Sequence, residues 1–500
     1  MPDSPSPSQQ PAARHTPRSP RHAELRAYLA DLYARLIASS APPDHFIGGY
    51  FRLRPNIVGG ARGFLAATLY ALLRQRYRTL ALWRWAGRTE PRFPWPEPGS
   101  IPAEAPPPGL EAGLAIHRWL REDMGESPAD ALELAREALE LARALPAPKN
   151  PGAPAPVWSP GNELDEFAQA LEADPDLKAA PDEERLGARL SLPSDLVARW
   201  RARFGDEALA KLGQAFRETA PLDLRVNTLL TTPQEVAASL AEEGVETFPA
   251  PYSPHGLRLA RKSSLKKTKA WRRGWIETQD EGSQIVALAL SPEPGWRVLD
   301  ACAGGGGKSL HLIALMEGRG EVVARDIDSA RLDAIGKRAA RCRAEESISR
   351  WGPGEPPPPA ASFDAVLIDA PCLGLGTLRR NPHFACFGPL GQRLKDIRRA
   401  QREILEEYCP LTRPGAALVY AVCSFEPEET TELIDAFLAD HPEFEPDPLE
   451  PVFRRRGMEA LLKGMPPGAW RLTLLPHERQ TDGFFICRLR RRPAPAKPRT

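Results

Sequence analysis

The sequence predicts an α/β fold whose C-terminal part, residues 291–491, is a doubly wound, mostly parallel sheet. Three observations carry that expectation. From Gly295 onward, short apolar runs alternate with amphipathic stretches. The runs are almost continuously apolar, as strands covered on both faces must be. A glycine-rich turn, Gly304 to Gly307, follows the first run, at the carboxyl edge where open parallel sheets bind ligands.

The elements follow in chain order. Residues 1–21 are rich in Pro, Ser and Arg and read as a disordered tail. Residues 22–145 read as helical. Leu25, Tyr28, Leu29, Leu32 and Leu36 recur at three- and four-residue steps, and further amphipathic stretches run over about 63–85 and 112–145. Pro-rich spacers at 91–109 and 146–160 cannot continue a helix, and the second marks a domain boundary. Residues 161–290 read as a helical segment to about 220, punctuated by Leu196, Trp200, Phe204 and Leu209, then a small α+β subdomain. That subdomain opens with a strand at 222–229 and a helix at 233–243 capped by Thr232. Strands are expected at 296–301, 321–326, 363–369 and 416–422. Helices are expected at 308–317, 329–342, about 394–409 and about 427–440. Two more strands, 470–475 and 483–489, are expected antiparallel at one edge. Residues 343–361 contain Gly352-Pro-Gly-Glu-Pro-Pro-Pro-Pro and read as loop, where a third strand–helix unit belongs. Residues 492–500 form a basic tail, and there is no internal repeat.

Composition narrows the class. A hydrophobic fraction of 42% and a charged fraction of 26% exclude a wholly disordered chain. No apolar run reaches the roughly 20 residues of a membrane span, and the N-terminus lacks the apolar core of a secretory signal. The 55 prolines are about twice the usual share of roughly 5% and point to linkers and loops. Seven cysteines, odd in number and widely spaced, fit reduced thiols in a cytoplasmic protein, expected to be a monomer away from membranes. Lys+Arg 66 against Asp+Glu 65 gives a net charge of +1, which taken alone argues against a uniformly basic nucleic-acid binder. The charge is blocked, however. Residues 45–89 hold eight arginines and no acid, and 255–276 hold eight Lys or Arg with Trp271 and Trp275 interleaved. Arg379-Arg380, Arg454 to Arg456 and 488–499 add more, while 111–143 carries eight acids against four arginines. Such blocks attract phosphate backbones, and aromatics offer stacking surfaces. A solvated helix face is the bland alternative for each.

The strand ends carry the chemistry. After the first strand comes Asp300-Ala-Cys-Ala-Gly-Gly-Gly-Gly-Lys-Ser. Glycines there allow a tight turn and close backbone approach, and the helix start supplies free N–H groups. Cys302 stands where a phosphate-binding Walker loop needs Gly, so that pattern fails. Asp326 ends the second strand, where an acid can take a ribose hydroxyl pair. Together these point to a nucleoside-containing cofactor, against the plainer reading of a glycine turn with a solvated Asp. The third strand ends in Asp369-Ala-Pro-Cys372 and the next in Ala421-Val-Cys423-Ser-Phe-Glu-Pro. Both thiols fall on the edge that carries the glycine loop. Cys423 precedes an expected helix start at Pro427, whose dipole favours thiolate. Inert packing is the usual fate of a lone buried Cys; the joint placement with Asp369 argues against it. No Cys-x-x-Cys or His pair completes a metal set.

These residues resemble the RsmB-like (Nop/Sun) family of RNA cytosine-5 methyltransferases. The resemblance runs over about 222–490 and rests on Leu224-Arg-Val-Asn-Thr, Gln279-Asp-Glu-Gly-Ser-Gln, the loop 300–309, Asp369-Ala-Pro-Cys with Arg379-Arg-Asn-Pro, Cys423-Ser-Phe-Glu-Pro-Glu-Glu and Thr481-Asp-Gly-Phe-Phe. Residues 22–145, with Phe51-Arg-Leu-Arg-Pro and Tyr70-Ala-Leu-Leu-Arg, look like the helical NusB-type RNA-binding domain of RsmB-like members. The resemblance implies a Rossmann-like methyltransferase sheet, a small RNA-binding subdomain before it, S-adenosylmethionine as cofactor, and RNA, most readily ribosomal RNA, as partner. It implies cofactor contacts from Cys302, Ala303, Gly304, Gly305, Gly306, Gly307, Lys308, Asp326 and Asp369. By family position Cys423 is the nucleophile toward cytosine carbon 6, Asp369 holds the base edge, Cys372 assists loss of the carbon-5 proton, and Lys308 adds positive charge. The target base is then unstacked from single-stranded or loop RNA. Two departures stand out. Ala303-Gly-Gly-Gly-Gly-Lys-Ser replaces the family's Ala-Ala-Pro-Gly-Gly-Lys-Thr. The family's acid near the adenine, after the third strand, has no counterpart in 351–360, and neither Asp328 nor Glu355 is a convincing substitute. Rival readings are DNA cytosine-5 methylation, in which Cys372 is the nucleophile; a transfer-RNA target; and a catalytically silent RNA-binding or ribosome-assembly protein on the same scaffold.

Overall fold

The computed structural model describes residues 20–39, 43–86, 108–145, 164, 168, 181–261, 263–386 and 390–493. The tail to residue 19, the linker 146–160 and residues 494–500 lie outside the described residues. The chain divides into two compact units, Met1–Trp200 and Arg201–Thr500.

The first unit is helical: α1 (Pro20–Ile37), α2 (Pro43–Leu53), α3 (Gly60–Arg74), α4 (Arg76–Ala86), α5 (Pro108–Arg118), α6 (Pro128–Ala144) and α7 (Asp182–Leu190). The stretch read as one helix over 63–85 is two, parted at Gln75. That over 112–145 is also two, joined by a π turn at Trp119–Asp123. Ser127-Pro128 starts α6 as a cap followed by a proline at the first helical position, and Asp130 N donates to Ser127 Oγ at 3.2 Å. Three arginines of the block 45–89 meet acids in space. Arg54 pairs with Asp31 at 3.0 Å, Arg76 with Glu111 at 2.6 Å and Arg78 with Glu122 at 2.6 Å. Distance along the chain concealed these partners.

Helix α8 (Ser194–Arg217) is interrupted at Gly205, whose φ of 77° only glycine adopts readily. A four-stranded antiparallel sheet follows, in the order β2 (Thr247–Pro249), β3 (Gly256–Leu259), β1 (Asp223–Val226) and β4 (Ile276–Thr278). Helix α9 (Pro233–Glu242) opens with the expected Thr232 cap, completed by Glu235 into a capping box. Leu224 and Val226 face the small core with Leu240, Leu257 and Ile276, and the short α10 (Lys269–Arg272) closes it.

The main sheet holds eight strands in the order β10 (Phe444–Pro446), β12 (Phe484–Arg491), β9 (Thr412–Val422), β8 (Phe363–Asp369), β5 (Arg297–Asp300), β6 (Glu321–Arg325) and β7 (Ile348–Trp351), with β11 (Arg471–Leu474) also on β12. β9 through β7 run parallel; β12 is antiparallel to β9. Alternation along the parallel strands sends Val298, Leu367 and Val419 into one core and Leu299, Val366 and Leu418 into the other, so helices cover both faces. Those helices are α11 (Glu281–Leu290), α12 (Gly307–Leu315), α13 (Ser329–Cys342), α14 (Leu390–Tyr408) and α15 (Thr431–Asp440).

Three expectations change. Residues 343–361 are not all loop: β7 occupies 348–351 and pairs parallel with β6. Only Trp351 of its four residues is buried, so this edge strand lacks the apolar run that marks its neighbours, and the prolines begin after it. The two closing strands are antiparallel on one side of the sheet as expected, but a strand not expected, β10, pairs with β12 as well. The helix expected from Pro427 begins at Thr431, after a single tight turn at Pro427–Glu429.

Candidate active site

The strand order reverses between β5 and β8, and a cleft of about 780 Å³ opens beyond their carboxyl ends. Its wall includes Cys302, Gly304, Lys308, Asp326, Asp369, Cys372 and Cys423. Ala303, Gly305, Gly306 and Gly307, expected beside them, do not line it. Ala303 is buried in a small core with Ile335. Gly306 is a shaping residue: its φ is 78°, and a Cβ there would meet Ile335 at 2.9 Å. The glycine run therefore folds the turn, and only Gly304 faces the cleft.

At the β6 end, Asp326 accepts from Gly304 N at 2.8 Å through one oxygen and from Asp328 N at 2.9 Å through the other. Asp328 is spent as the cap of α13, accepting from Ala330 N at 2.9 Å. Glu355 offers its backbone oxygen to the Trp351 indole at 3.2 Å, and its side chain does not line the cleft. Burial, then the nearby Asp369, Asp300 and Asp326 charges, push the Cys302 thiol up, so it stays protonated at neutral pH. Asp300 is buried beneath the loop, accepts from Ser309 Oγ at 2.7 Å, and has a carboxyl raised to about 6 by burial.

At the β8 and β9 end, Lys308 Nζ donates to Asp369 at 2.6 Å. Burial alone would lower the lysine, but Asp369, Asp300 and the adjacent Cys423 carry it above its usual value, so it remains a cation. The thiols of Cys372 and Cys423 lie 3.2 Å apart. The hydrogen bond to Cys423, then burial, push the Cys372 thiol up. The helix after Cys423 starts only at Thr431, so the helix start expected at Pro427 does not follow Cys423 directly.

Buried acids lock the surrounding loops. Glu429 accepts from Leu373 N at 2.9 Å, from Gln401 at 3.1 Å and from Ser424, so one carboxylate ties both cysteine loops together. Asp482 pairs with Arg379 at 2.7 Å and Arg380 at 2.6 Å, and Asp280 takes Arg380 at 2.8 Å. Arg379-Arg380, expected to attract phosphate, is instead consumed by these carboxylates, and Arg379 is only 5% exposed. Gly376 N donates to Cys423 O at 3.0 Å, and Gly483 N to Gly376 O at 2.7 Å. A Cβ on Gly376 would meet Gly483 O at 2.1 Å, so both glycines are needed for that approach. Single-residue reading missed Asp280, Asp482 and Glu429. Their signal was membership of motifs that otherwise contributed a named site residue or none.

Comparison with known proteins agrees with this geometry. The family profile of the 16S rRNA methyltransferases RsmB/F matches residues 287–490, and that of an RsmF/B-like ferredoxin-like domain matches 192–266. The chain is 34% identical over 318 residues to a probable ribosomal RNA small subunit methyltransferase B of Synechocystis sp., covering 62% of this chain and 69% of that protein. It is 35% identical over 314 residues to the probable enzyme of the same name from Bacillus subtilis, covering 62% and 68%. A crystal structure of a methyltransferase homolog from Pyrococcus horikoshii, 26% identical, superposes with a TM-score of 0.51 over 62% of this chain and 99% of that one. With a doubly wound sheet and a thiol pair at the strand ends in one cleft, the chain belongs to the RsmB/F family and is an S-adenosylmethionine-dependent RNA methyltransferase.

Proposed function

We propose that the protein methylates carbon 5 of a cytosine in ribosomal RNA through a covalent cysteine–cytosine adduct. The observation that carries this reading is the 3.2 Å approach of Cys372 and Cys423 beside the Lys308–Asp369 pair. Carbon 5 of cytosine is a poor nucleophile, and adding a thiolate to carbon 6 makes it an enamine carbon. Cys423 is the thiolate in this reading, with Lys308 as the nearby cation. Asp369 holds the base edge and favours a proton at ring nitrogen 3 as negative charge develops there. S-adenosylmethionine, when bound, supplies an electrophilic methyl group. Cys372 assists removal of the carbon-5 proton; the electron pair of that C–H bond forms the C5–C6 double bond again and expels Cys423 as thiolate.

Cofactor contacts fall to Gly304 and Asp326 at the β6 end and to Lys308 and Asp369 between the ends. The donor set fits a nucleoside: Asp326 sits on the cleft wall at the end of β6, the place of a ribose-diol acceptor. Lys266, Lys267, Lys269, Arg272 and Arg273, with Lys269 and Arg273 over the Trp275 ring at 5.7 and 5.2 Å, supply a basic, aromatic surface for the RNA backbone. The helical first unit adds a second RNA contact.

A 5-fluorocytosine RNA tests the thiol roles. Cys372→Ala should accumulate a covalent protein–RNA complex and Cys423→Ala should form none. The reverse result would assign the nucleophile to Cys372, as in DNA cytosine methylation. Bisulfite sequencing of ribosomal and transfer RNA with and without the protein then reads the methylated nucleotide.

A further inference from the structure

One carboxylate on the cleft wall has no part in the chemistry above. Glu407, in the last turn of α14, lines the cleft with Asp326, Ile327 and Tyr408. The acid beside it is engaged: Glu406 pairs with Arg402 at 2.5 Å and with His441 at 2.8 Å. Among the described residues, no Lys or Arg forms an ion pair with Glu407. Burial, then the Glu407 charge and a hydrogen bond to Glu407, raise the Tyr408 phenol on the same wall, and Glu407 adds a last, small push to the Cys302 thiol.

A purine nucleoside has two polar ends. The ribose diol donates two protons, which suits Asp326 at the end of β6. The base is flat and apolar on its faces and carries its exocyclic group on the far edge. Ile327 follows Asp326 and is 83% exposed on the cleft wall, an aliphatic surface against which a base can lie. None of residues 352–360, in the turn after β7, lines the cleft, whereas the end of α14 presents Glu407 to it.

We infer that Glu407 accepts a hydrogen bond from the exocyclic amine of the cofactor's adenine and so selects a 6-amino over a 6-oxo purine. The inference rests on the reading that the β6 end holds the nucleoside. A carboxylate accepts from an amine and repels a carbonyl oxygen. Hydrogen bonds to a charged group are strong enough for a preference of about tenfold or more.

The test is calorimetric binding of S-adenosylhomocysteine and of its deaminated analogue S-inosylhomocysteine to the full chain, with no methyl transfer involved. Wild type should prefer the adenosyl compound by about tenfold or more. Glu407→Gln, whose amide can donate to an oxo group, should bring the two affinities together, and Glu407→Ala should lose the preference by weakening the adenosyl compound alone. If both variants keep the wild-type preference, or wild type shows none, the role of Glu407 is overturned while the nucleoside reading stands. If Asp326→Ala leaves adenosyl binding unchanged, or wild type does not bind that compound, the nucleoside reading itself fails and takes the inference with it.

Discussion

At the β6 end of the cleft, the functional carboxylate is held by main chain: Asp326 takes the amides of Gly304 and Asp328. At the β8 and β9 end, the groups proposed to react meet side chains from far along the sequence. Lys308 meets Asp369, Cys372 meets Cys423, and Glu429, Asp482 and Asp280 fasten the loops between them. Backbone amides tolerate many sequences nearby. Interlocked buried charges do not, because removing one leaves another without its partner. Binding and reaction in this cleft should therefore fail separately under substitution.

The largest effect should come at the reacting end. Cys423→Ala should cut methylation roughly a thousandfold or more while changing S-adenosylhomocysteine affinity less than about threefold. Asp326→Ala should do the opposite, weakening that affinity by about ten- to a hundredfold. Parallel losses in both variants would collapse the distinction between the ends. Next comes Arg379→Leu. It removes one of the two guanidiniums that hold Asp482, whose carboxyl burial already raises to about 6, and should destabilise the fold by about 3 kcal/mol, read by denaturant unfolding. Gly306→Ala should lose about 2 kcal/mol through its positive φ and the Ile335 contact. A neutral outcome there would show that the loop can refold around a side chain.

A pH dependence is expected away from both ends, absent at neutral pH and growing on acidification. His255 and His311 touch at 3.1 Å. Burial, then Arg225, lowers both, His255 to about 4. The folded value lies below the unfolded one of about 6.5, so the unfolded chain takes the proton first. Stability should be intact above about pH 6.5 and should fall on acidification toward pH 4, by about 1.4 kcal/mol per pH unit for His255. His255→Phe should flatten that slope in thermal melts taken across the range.

The contrast between the two ends also explains what could be read from the sequence. Strands β5, β6, β8 and β9 were legible because both faces are buried and the runs are apolar. β7 was not, because three of its four residues are partly or wholly exposed. Asp326, Asp369 and the two cysteines were legible because strand ends in a doubly wound sheet share one edge. Asp482, Asp280 and Glu429 were not, because their function lies in pairings across up to about two hundred residues of chain. Glu407 was hidden for another reason: among the many charged residues of α14, only its place on the cleft wall sets it apart.

The paired arginines bear on how tightly RNA binding responds to salt. Arg54, Arg76, Arg78, Arg379, Arg380 and Arg488 look in sequence like phosphate ligands, yet each already has a carboxylate. A guanidinium so engaged neutralises no phosphate and displaces no condensed cation. The logarithmic fall of affinity with salt should therefore be shallower than the arginine content suggests, with a slope of about 0.7 for each phosphate that single-stranded RNA actually surrenders to the protein.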